Sequence, residues 1–283
     1  MKILFIGTGV MGAPMAKHLS EAGHQVFAYN RTPEKAKRLE PQIKFCDAIA
    51  SCVDQVDAVF TIVGYPQDVK EVYDQVIPHA KPNTILVDMT TSSPTLAIKL
   101  SEQAKARDLL MLDAPVTGGD IGAIDGTLSI MVGGDFYTYE KILPLFMQMG
   151  STITYMGPSG SGMYAKLANQ TVIAGNILGI AEAITFAKEK GLDLTAMLSV
   201  ITGGSANSWQ AANNGLKMIR KDDRPGFFIK HFLKDLKMVM AEKGNLPLTV
   251  VETATHAYET LVEKGFAEKG TQAIIEYYLQ KMA

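Results

Sequence analysis

Apolar residues follow two rhythms along the chain. Over the first half they gather in short runs: Lys2 to Ile6, Gln25 to Tyr29, Val56 to Val63, Thr84 to Asp88, Leu109 to Leu112, Ser129 to Val132 and Ser151 to Met156. Each reads as a buried strand. A helical pattern from Ala13 to Ala22, closed by Gly23, separates the first two. From Gly157 a Gly-rich turn leads into one long apolar segment ending at Gly191, whose small and apolar residues spread over more than one helical face. Beyond it the pattern is helical almost throughout, with helices predicted over Asp193 to Ile201, Ala206 to Arg220, His231 to Lys243, Pro247 to Lys264 and Thr271 to Met282. The pattern predicts an α/β domain over residues 1–160 with a mostly parallel sheet, followed by a helical domain over 161–283 that begins with a long interdomain helix.

The length fits two domains better than one: 283 residues exceed what a single core comfortably supports. With 47% apolar residues, 20% charged residues and a net charge of -2, the chain has no basic footprint for nucleic acid. Its two cysteines, Cys46 and Cys52, lack the companions of a zinc site and are expected as buried thiols of a cytoplasmic protein. The apolar run Thr171 to Ala187 is interrupted by Asn176 and Glu182 and is expected to fall short of a membrane span.

The first chemistry lies just after the first strand, in Gly7-Thr8-Gly9-Val10-Met11-Gly12. Strand, GxGxxG, helix and strand in that order form a dinucleotide fingerprint. Gly7 permits the turn, Gly9 lets backbone approach a pyrophosphate, and Gly12 allows close helix packing. Where an NAD enzyme carries an acidic residue for the ribose 2′-OH, this chain has Asn30-Arg31-Thr32. Arg31 can grip a 2′-phosphate, so NADP is expected with NAD possible; the competing reading leaves Arg31 a solvated residue beside the helix start at Thr32-Pro33. Val63, Gly64 and Thr91 follow later strands and are candidates to line the cofactor, whereas Ser92, Ser93 and Pro94 read better as helix capping. Thr117-Gly118-Gly119 offers a hydroxyl and open backbone N–H groups for a small carboxylate, or simply a glycine hairpin turn.

Near the start of the long helix stands Lys166, with Asn169 and Gln170 three and four residues on and therefore on one helical face. A lysine in that apolar setting is either a reacting group or a snorkelling structural residue. Lys234, followed by Asp235 in another apolar run, is either a second cation or a capped surface lysine. Trp209, the only tryptophan, is more readily core than pocket lining.

GTGVMG with Met15, the stretch from Asp113 to Gly119, Gly160 and Gly162 leading to Lys166 and Asn169, and Lys234-Asp235-Leu236 together resemble the β-hydroxyacid dehydrogenase family over essentially the whole length. The resemblance implies NAD(P)-dependent interconversion of a small β-hydroxy acid and its semialdehyde, 3-hydroxyisobutyrate dehydrogenase-like. It further implies a Rossmann-type dinucleotide-binding domain over 1–160 and a helical domain over 161–283 for substrate binding and oligomerisation, with Lys166 as the catalytic lysine, Thr117 and Gly118 at the substrate carboxylate, Thr91 near the nicotinamide ribose and Lys234 at the cofactor end, in a homodimer or homotetramer. Gln170 stands where the family commonly has Asn, and Thr117 where Ser is common; both change pocket dimensions. Glyoxylate, succinic semialdehyde or tartronate semialdehyde reduction is the rival reading, and an NADP-sensing module is the non-enzymatic one. A 6-phosphogluconate dehydrogenase would need a larger helical domain, and imine reductases generally lack the lysine.

Overall fold

In the computed structural model, which describes residues 1–280, the chain divides into two compact units, Met1–Lys166 and Leu167–Ala283. The first unit is built of β1 (Lys2–Ile6), α1 (Gly12–Glu21), β2 (Gln25–Tyr29), α2 (Pro33–Lys37), β3 (Lys44–Phe45), α3 (Ile49–Cys52), β4 (Ala58–Thr61), α4 (Pro66–His79), β5 (Ile85–Asp88), α5 (Pro94–Lys105), β6 (Leu110–Asp113), β7 (Val116–Thr117), α6 (Gly119–Ile124), β8 (Leu128–Gly134), α7 (Phe136–Phe146) and β9 (Gly150–Gly157). Strands β3, β2, β1, β4, β5 and β6 lie side by side in that order, all parallel. This is the doubly wound arrangement expected from the fingerprint.

The runs of β1, β4 and β5 are apolar without alternation because both sheet faces are covered there. Ile3 and Phe5 of β1 join one buried cluster with Met15, Ala16 and Leu19 of α1, whereas Leu4 and Ile6 join the opposite cluster with Val69, Tyr73 and Val76 of α4. Beyond β6 the sheet turns antiparallel. β8 pairs with β6 at Leu112↔Gly134 and Asp113↔Gly133, and with β7 at Val116↔Ile130 and Thr117↔Ser129, while β9 pairs with it in parallel. Thus β6 and β7 are one strand in unbroken register. Pro115 has no N–H to give the ladder, although its carbonyl still accepts from Met131 N at 3.1 Å.

The long helix α8 runs Ser161–Glu189, and the division between the units falls within it. The second unit continues with α9 (Leu194–Gly203), α10 (Trp209–Arg220), α11 (Ile229–Glu242), α12 (Thr249–Glu263), a 3₁₀ turn at Thr271–Ile274 and α13 (Ile275–Leu279). Ala174, Ile177, Ala181 and Ile184 of α8 pack in one buried cluster with Phe232 and Leu236 of α11 and with Ala254, Tyr258 and Leu261 of α12.

Several expectations need correcting. Cys46 and Cys52 are joined in a disulfide rather than left as thiols, because the turn through α3 brings their Cα atoms to 6.4 Å, within bridging range. At 29 residues α8 is by length and composition apolar enough to cross a membrane, since it continues past the polar residues that bounded the sequence run; a buried core helix has the same signature. Trp209 is exposed, at the first position of α10, because Ser208 caps that helix through a bond from Ala211 N. The predicted helix Thr271 to Met282 begins as the 3₁₀ turn, and its residues 281 and 282 lie outside the described residues.

Candidate active site

The parallel strands carry the candidate residues of the first unit to one edge. Gly7 N donates to Tyr29 O at 2.9 Å, and Thr8 N to Asn30 Oδ1 at 3.0 Å, so Asn30 ties the glycine loop to the end of β2. The three glycines differ physically. A Cβ on Gly7 would sit 2.0 Å from Ile62 O and one on Gly12 1.9 Å from Gly7 O, whereas one on Gly9 meets nothing within 4 Å. Gly7 and Gly12 are therefore required by packing. Gly9 leaves room in front of the N-terminus of α1, with Val10 exposed and Met11 half-buried beside it. Thr8 Oγ1 is buried and has no hydrogen-bond partner among the described residues. An open backbone row at a helix N-terminus, backed by an unspent buried hydroxyl, fits a dinucleotide pyrophosphate.

Arg31 is largely exposed and pairs with Asp68 at 2.9 Å. Asp68 Oδ2 also accepts from Tyr65 N at 3.0 Å, fixing the start of α4. The pair with Asp68 uses Arg31 Nη1 alone, so the guanidinium keeps donors for a phosphate. Thr32 precedes α2 without a side-chain cap bond. Val63 N donates to Thr90 Oγ1 at 3.0 Å; Val63, Gly64 and Thr91 lie partly exposed after β4 and β5. Ser93 caps α5 through a bond from Leu96 N, as expected, but Ser92 does not; it is buried, and its N–H points at Met163 Sδ, 3.4 Å away.

Thr117 ends β7, and Gly118 and Gly119, at φ of 132° and 68°, open α6. The glycine pair is thus no two-residue hairpin turn, because a helix stands between β7 and β8. Thr117 is half-buried and both glycines are exposed, so their backbone is accessible.

Lys166 is only 6% exposed, on the second turn of α8. The helix start is fixed by a residue not foreseen as functional: Asp113, at the end of β6, accepts from Gly160 N at 2.8 Å and from Met163 N at 2.9 Å. Burial pushes the Asp113 carboxyl above the usual carboxylate range while those amides pull it back. The sequence marked Asp113 only as the first residue of the stretch to Gly119 and as a carboxylate closing an apolar strand, with nothing to point to the start of α8.

In the second unit, Gln170 Nε2 donates to Asp235 Oδ2 at 2.7 Å in a buried pair, and Asp235 Oδ1 faces Lys234 Nζ at 3.2 Å. Among the described residues, Asn169 Oδ1 and Gln170 Oε1 are buried without hydrogen-bond partners. Buried acceptors of that kind are costly unless something donates to them. Half-buried His231, one turn before Lys234, has its pKa lowered by burial and then by the charges of Lys234 and Lys230.

Residues 2–157 match the family model for the NAD-binding domain of 6-phosphogluconate dehydrogenase, and residues 160–278 match the one described as the NAD-binding region of NADP-dependent 3-hydroxyisobutyrate dehydrogenase. The chain is 41% identical to a probable mitochondrial 3-hydroxyisobutyrate dehydrogenase-like protein of Arabidopsis thaliana, covering 97% of this chain and 84% of that one. It is 34% identical to the 2-hydroxy-3-oxopropionate reductase of Escherichia coli, covering 98% and 96%. Among solved structures, the 3-hydroxyisobutyrate dehydrogenase of Mycobacterium tuberculosis with L-serine superposes with a TM-score of 0.89 at 32% identity, over 97% of this chain and 98% of that one. With a nicotinamide-binding first domain, a matching second region and full-length relatives at these identities, the chain belongs to the β-hydroxyacid dehydrogenase family.

Proposed function

We propose that the protein moves a hydride between NADP, with NAD as the weaker alternative, and a small β-hydroxy acid, forming or consuming the matching semialdehyde. The observation that carries this reading is Lys166, a buried lysine on a helix whose first turn is anchored to the strand edge that also presents the glycine loop. The nicotinamide, when bound, accepts the hydride in oxidation and donates it in reduction. Lys166 takes the proton from the substrate hydroxyl, or returns one to the carbonyl oxygen in the reverse direction. Such proton transfer is worth about 10²–10⁴-fold in rate.

Thr117 Oγ1 and the N–H groups of Gly118 and Gly119 receive the substrate carboxylate in this proposal. Asn169 and Gln170 orient the lysine and the hydroxyl, which is the use their unpartnered buried oxygens support. Lys234, held on Asp235, supplies a second positive charge. Gly7, Gly9, Val10, Met11 and Gly12 hold the pyrophosphate; Asn30, Arg31 and Thr32 hold the adenosine ribose and its 2′-phosphate; Val63, Gly64 and Thr91 line the path to the nicotinamide. The name of the M. tuberculosis structure, with its bound L-serine, a β-hydroxy acid, supports the substrate class. The second reading, physiological reduction of glyoxylate, succinic semialdehyde or tartronate semialdehyde, is favoured by Arg31 and by the reductase from E. coli. A cytoplasmic homodimer or homotetramer without nucleic-acid or membrane partners belongs to the same proposal.

The test is a titration of NADP(H) and NAD(H) followed by assays of three- and four-carbon β-hydroxy acids and semialdehydes, with wild type and Lys166→Ala. Turnover is expected to fall by about 10²-fold or more in the variant. Undiminished turnover would remove the mechanism, and tighter binding of NAD than NADP would remove the role given to Arg31.

A further inference from the structure

Asp113 stands out among the buried titratable groups because the reaction described above does not use it. It is 3% exposed, and among the described residues no lysine or arginine is paired with it. Its compensation comes from backbone instead. One carboxylate oxygen accepts from Gly160 N, the other from Met163 N. These amides lie at the N-terminus of α8, where helix N–H groups lack intrahelical partners and the helix dipole favours negative charge.

The surroundings leave no slack. A Cβ on Gly133, the residue paired with Asp113 across the sheet, would sit 2.6 Å from Asp113 Oδ1 and 2.7 Å from Gly162 N. One on Gly162 would sit 2.4 Å from Met131 O and 2.7 Å from Asp113 O. Two glycines facing each other thus let the first turn of α8 press against the sheet where the carboxylate projects. Met163, itself fully buried, also accepts from Ser92 N through its sulfur at 3.4 Å, a contact from the connection between β5 and α5.

We propose that Asp113 is a positioning residue for Lys166: from the end of β6 its carboxylate fixes the first turn of α8, and so the aim of the lysine ammonium one turn later. The proposal rests on Lys166 being the proton-transfer group. Lys166 follows Met163 by three residues, a rise of about 4.5 Å. With the ammonium about 8 Å from the helix axis, a rotation of about 10° displaces it by ~1.4 Å, and misplacements near 1 Å can cost ~10²-fold in rate. A carboxylate suits the task because it offers only acceptors; an asparagine would turn an NH₂ toward one of the two amides.

The test compares Asp113→Asn with Lys166→Ala and with Ser159→Ala, whose hydroxyl bonds Ser101 Oγ in the same turn without touching the amides of α8. Each folded variant is assayed for kcat, KM, dinucleotide affinity and the pH dependence of kcat/KM, and Lys166→Ala also with added primary amines. The expected result is a kcat for Asp113→Asn reduced ~30- to 100-fold, with dinucleotide Kd within ~2-fold of wild type and a displaced pH limb, while Ser159→Ala is unchanged. A folded Asp113→Asn with wild-type kcat and an unmoved limb overturns the proposal, as does an equal effect of Ser159→Ala. Loss of thermal stability alone, or failure of both Asp113→Asn and Asp113→Ser to fold, makes Asp113 a purely structural anchor and also overturns it. If Lys166→Ala keeps turnover, the proton-transfer assignment itself fails, whatever Asp113→Asn does; amine rescue of an inactive Lys166→Ala upholds that assignment independently.

Discussion

The two glycines of the fingerprint that do not make the turn can be separated by a single methyl group at each. In Gly12→Ala the new Cβ would lie 1.9 Å from Gly7 O and 2.9 Å from Ile62 Cγ2. Ordinary contact begins near 3.4 Å, so the start of α1 must retreat by roughly 1.5 Å or the loop must open, a kind of overpacking that costs about 1–3 kcal/mol. For a protein of this size each kcal/mol lowers the Tm by about 2–4 °C, giving a drop of roughly 2–12 °C. In Gly9→Ala the methyl meets no protein atom and the backbone is outside the left-handed region. Stability should therefore hold or rise by about 0.4–1 kcal/mol through the unfolded chain. Yet that methyl projects where the pyrophosphate is proposed to lie. Loss of one charge-assisted contact there, about 1.5–3 kcal/mol, corresponds to a ~10- to 100-fold weaker dinucleotide Kd. Thermal unfolding without ligand and calorimetric titration of NADP on both variants make the comparison. Wild-type affinity in Gly9→Ala would refute the cradle, and an unchanged Tm in Gly12→Ala would refute the packing.

Three further outcomes follow from the site. Arg31→Ala should weaken NADP by ~10-fold or more and NAD by ~3-fold at most, with little change in Tm because an exposed pair with Asp68 contributes about 0–1 kcal/mol; equal weakening of both cofactors in a binding titration contradicts the 2′-phosphate role. Gln170→Asn shortens the side chain that reaches Asp235 and should lower stability by about 1.5–3 kcal/mol while changing the ratio of kcat/KM between three- and four-carbon substrates ~10-fold; an unchanged ratio argues that Gln170 does not shape the pocket. Burial raises the Asp113 pKa, so the native state binds that proton more tightly than the unfolded chain, and this group's contribution to stability declines as pH rises from the ordinary carboxylate value to the raised one, then stays constant. Urea unfolding across that acid range should show the decline in wild type relative to Asp113→Asn, and parallel curves would count against it.

The central strands of the first unit were legible because β1, β4 and β5 are buried on both faces and stand out as unbroken apolar runs, and β1 and β2 coincide with the predicted limits, whereas the two-residue β3 left no run to read. The run Val56 to Val63 overshot β4, since Ile62 continues the ladder only by donating to Ile6 O before the chain turns. β7 and α6 were too short to impose a period. Helix starts depended on caps: α10 begins at Trp209, behind its cap Ser208, and not at Ala206. The one-face placement of Lys166, Asn169 and Gln170 follows from helical spacing alone, whereas the partner of Gln170 lies 65 residues away and left no local trace. Asp113 was least legible for a simple reason. Its partners are backbone amides, and an amide looks the same under every side chain.

The unbroken register through β6 and β7 restricts how this protein can diversify. Asp113 and Thr117 take their sheet partners, Gly133 and Ser129, from the same strand with no residue to spare between them. One residue inserted or deleted in that interval would turn Val116 and Thr117 to the opposite faces. Descendants can therefore exchange the side chain at Thr117 but neither the two positive-φ glycines after it nor the spacing of this proposed carboxylate loop from the helix anchor. New substrates would have to be accommodated by substitution there, and insertions would be confined to the connection beyond Gly119.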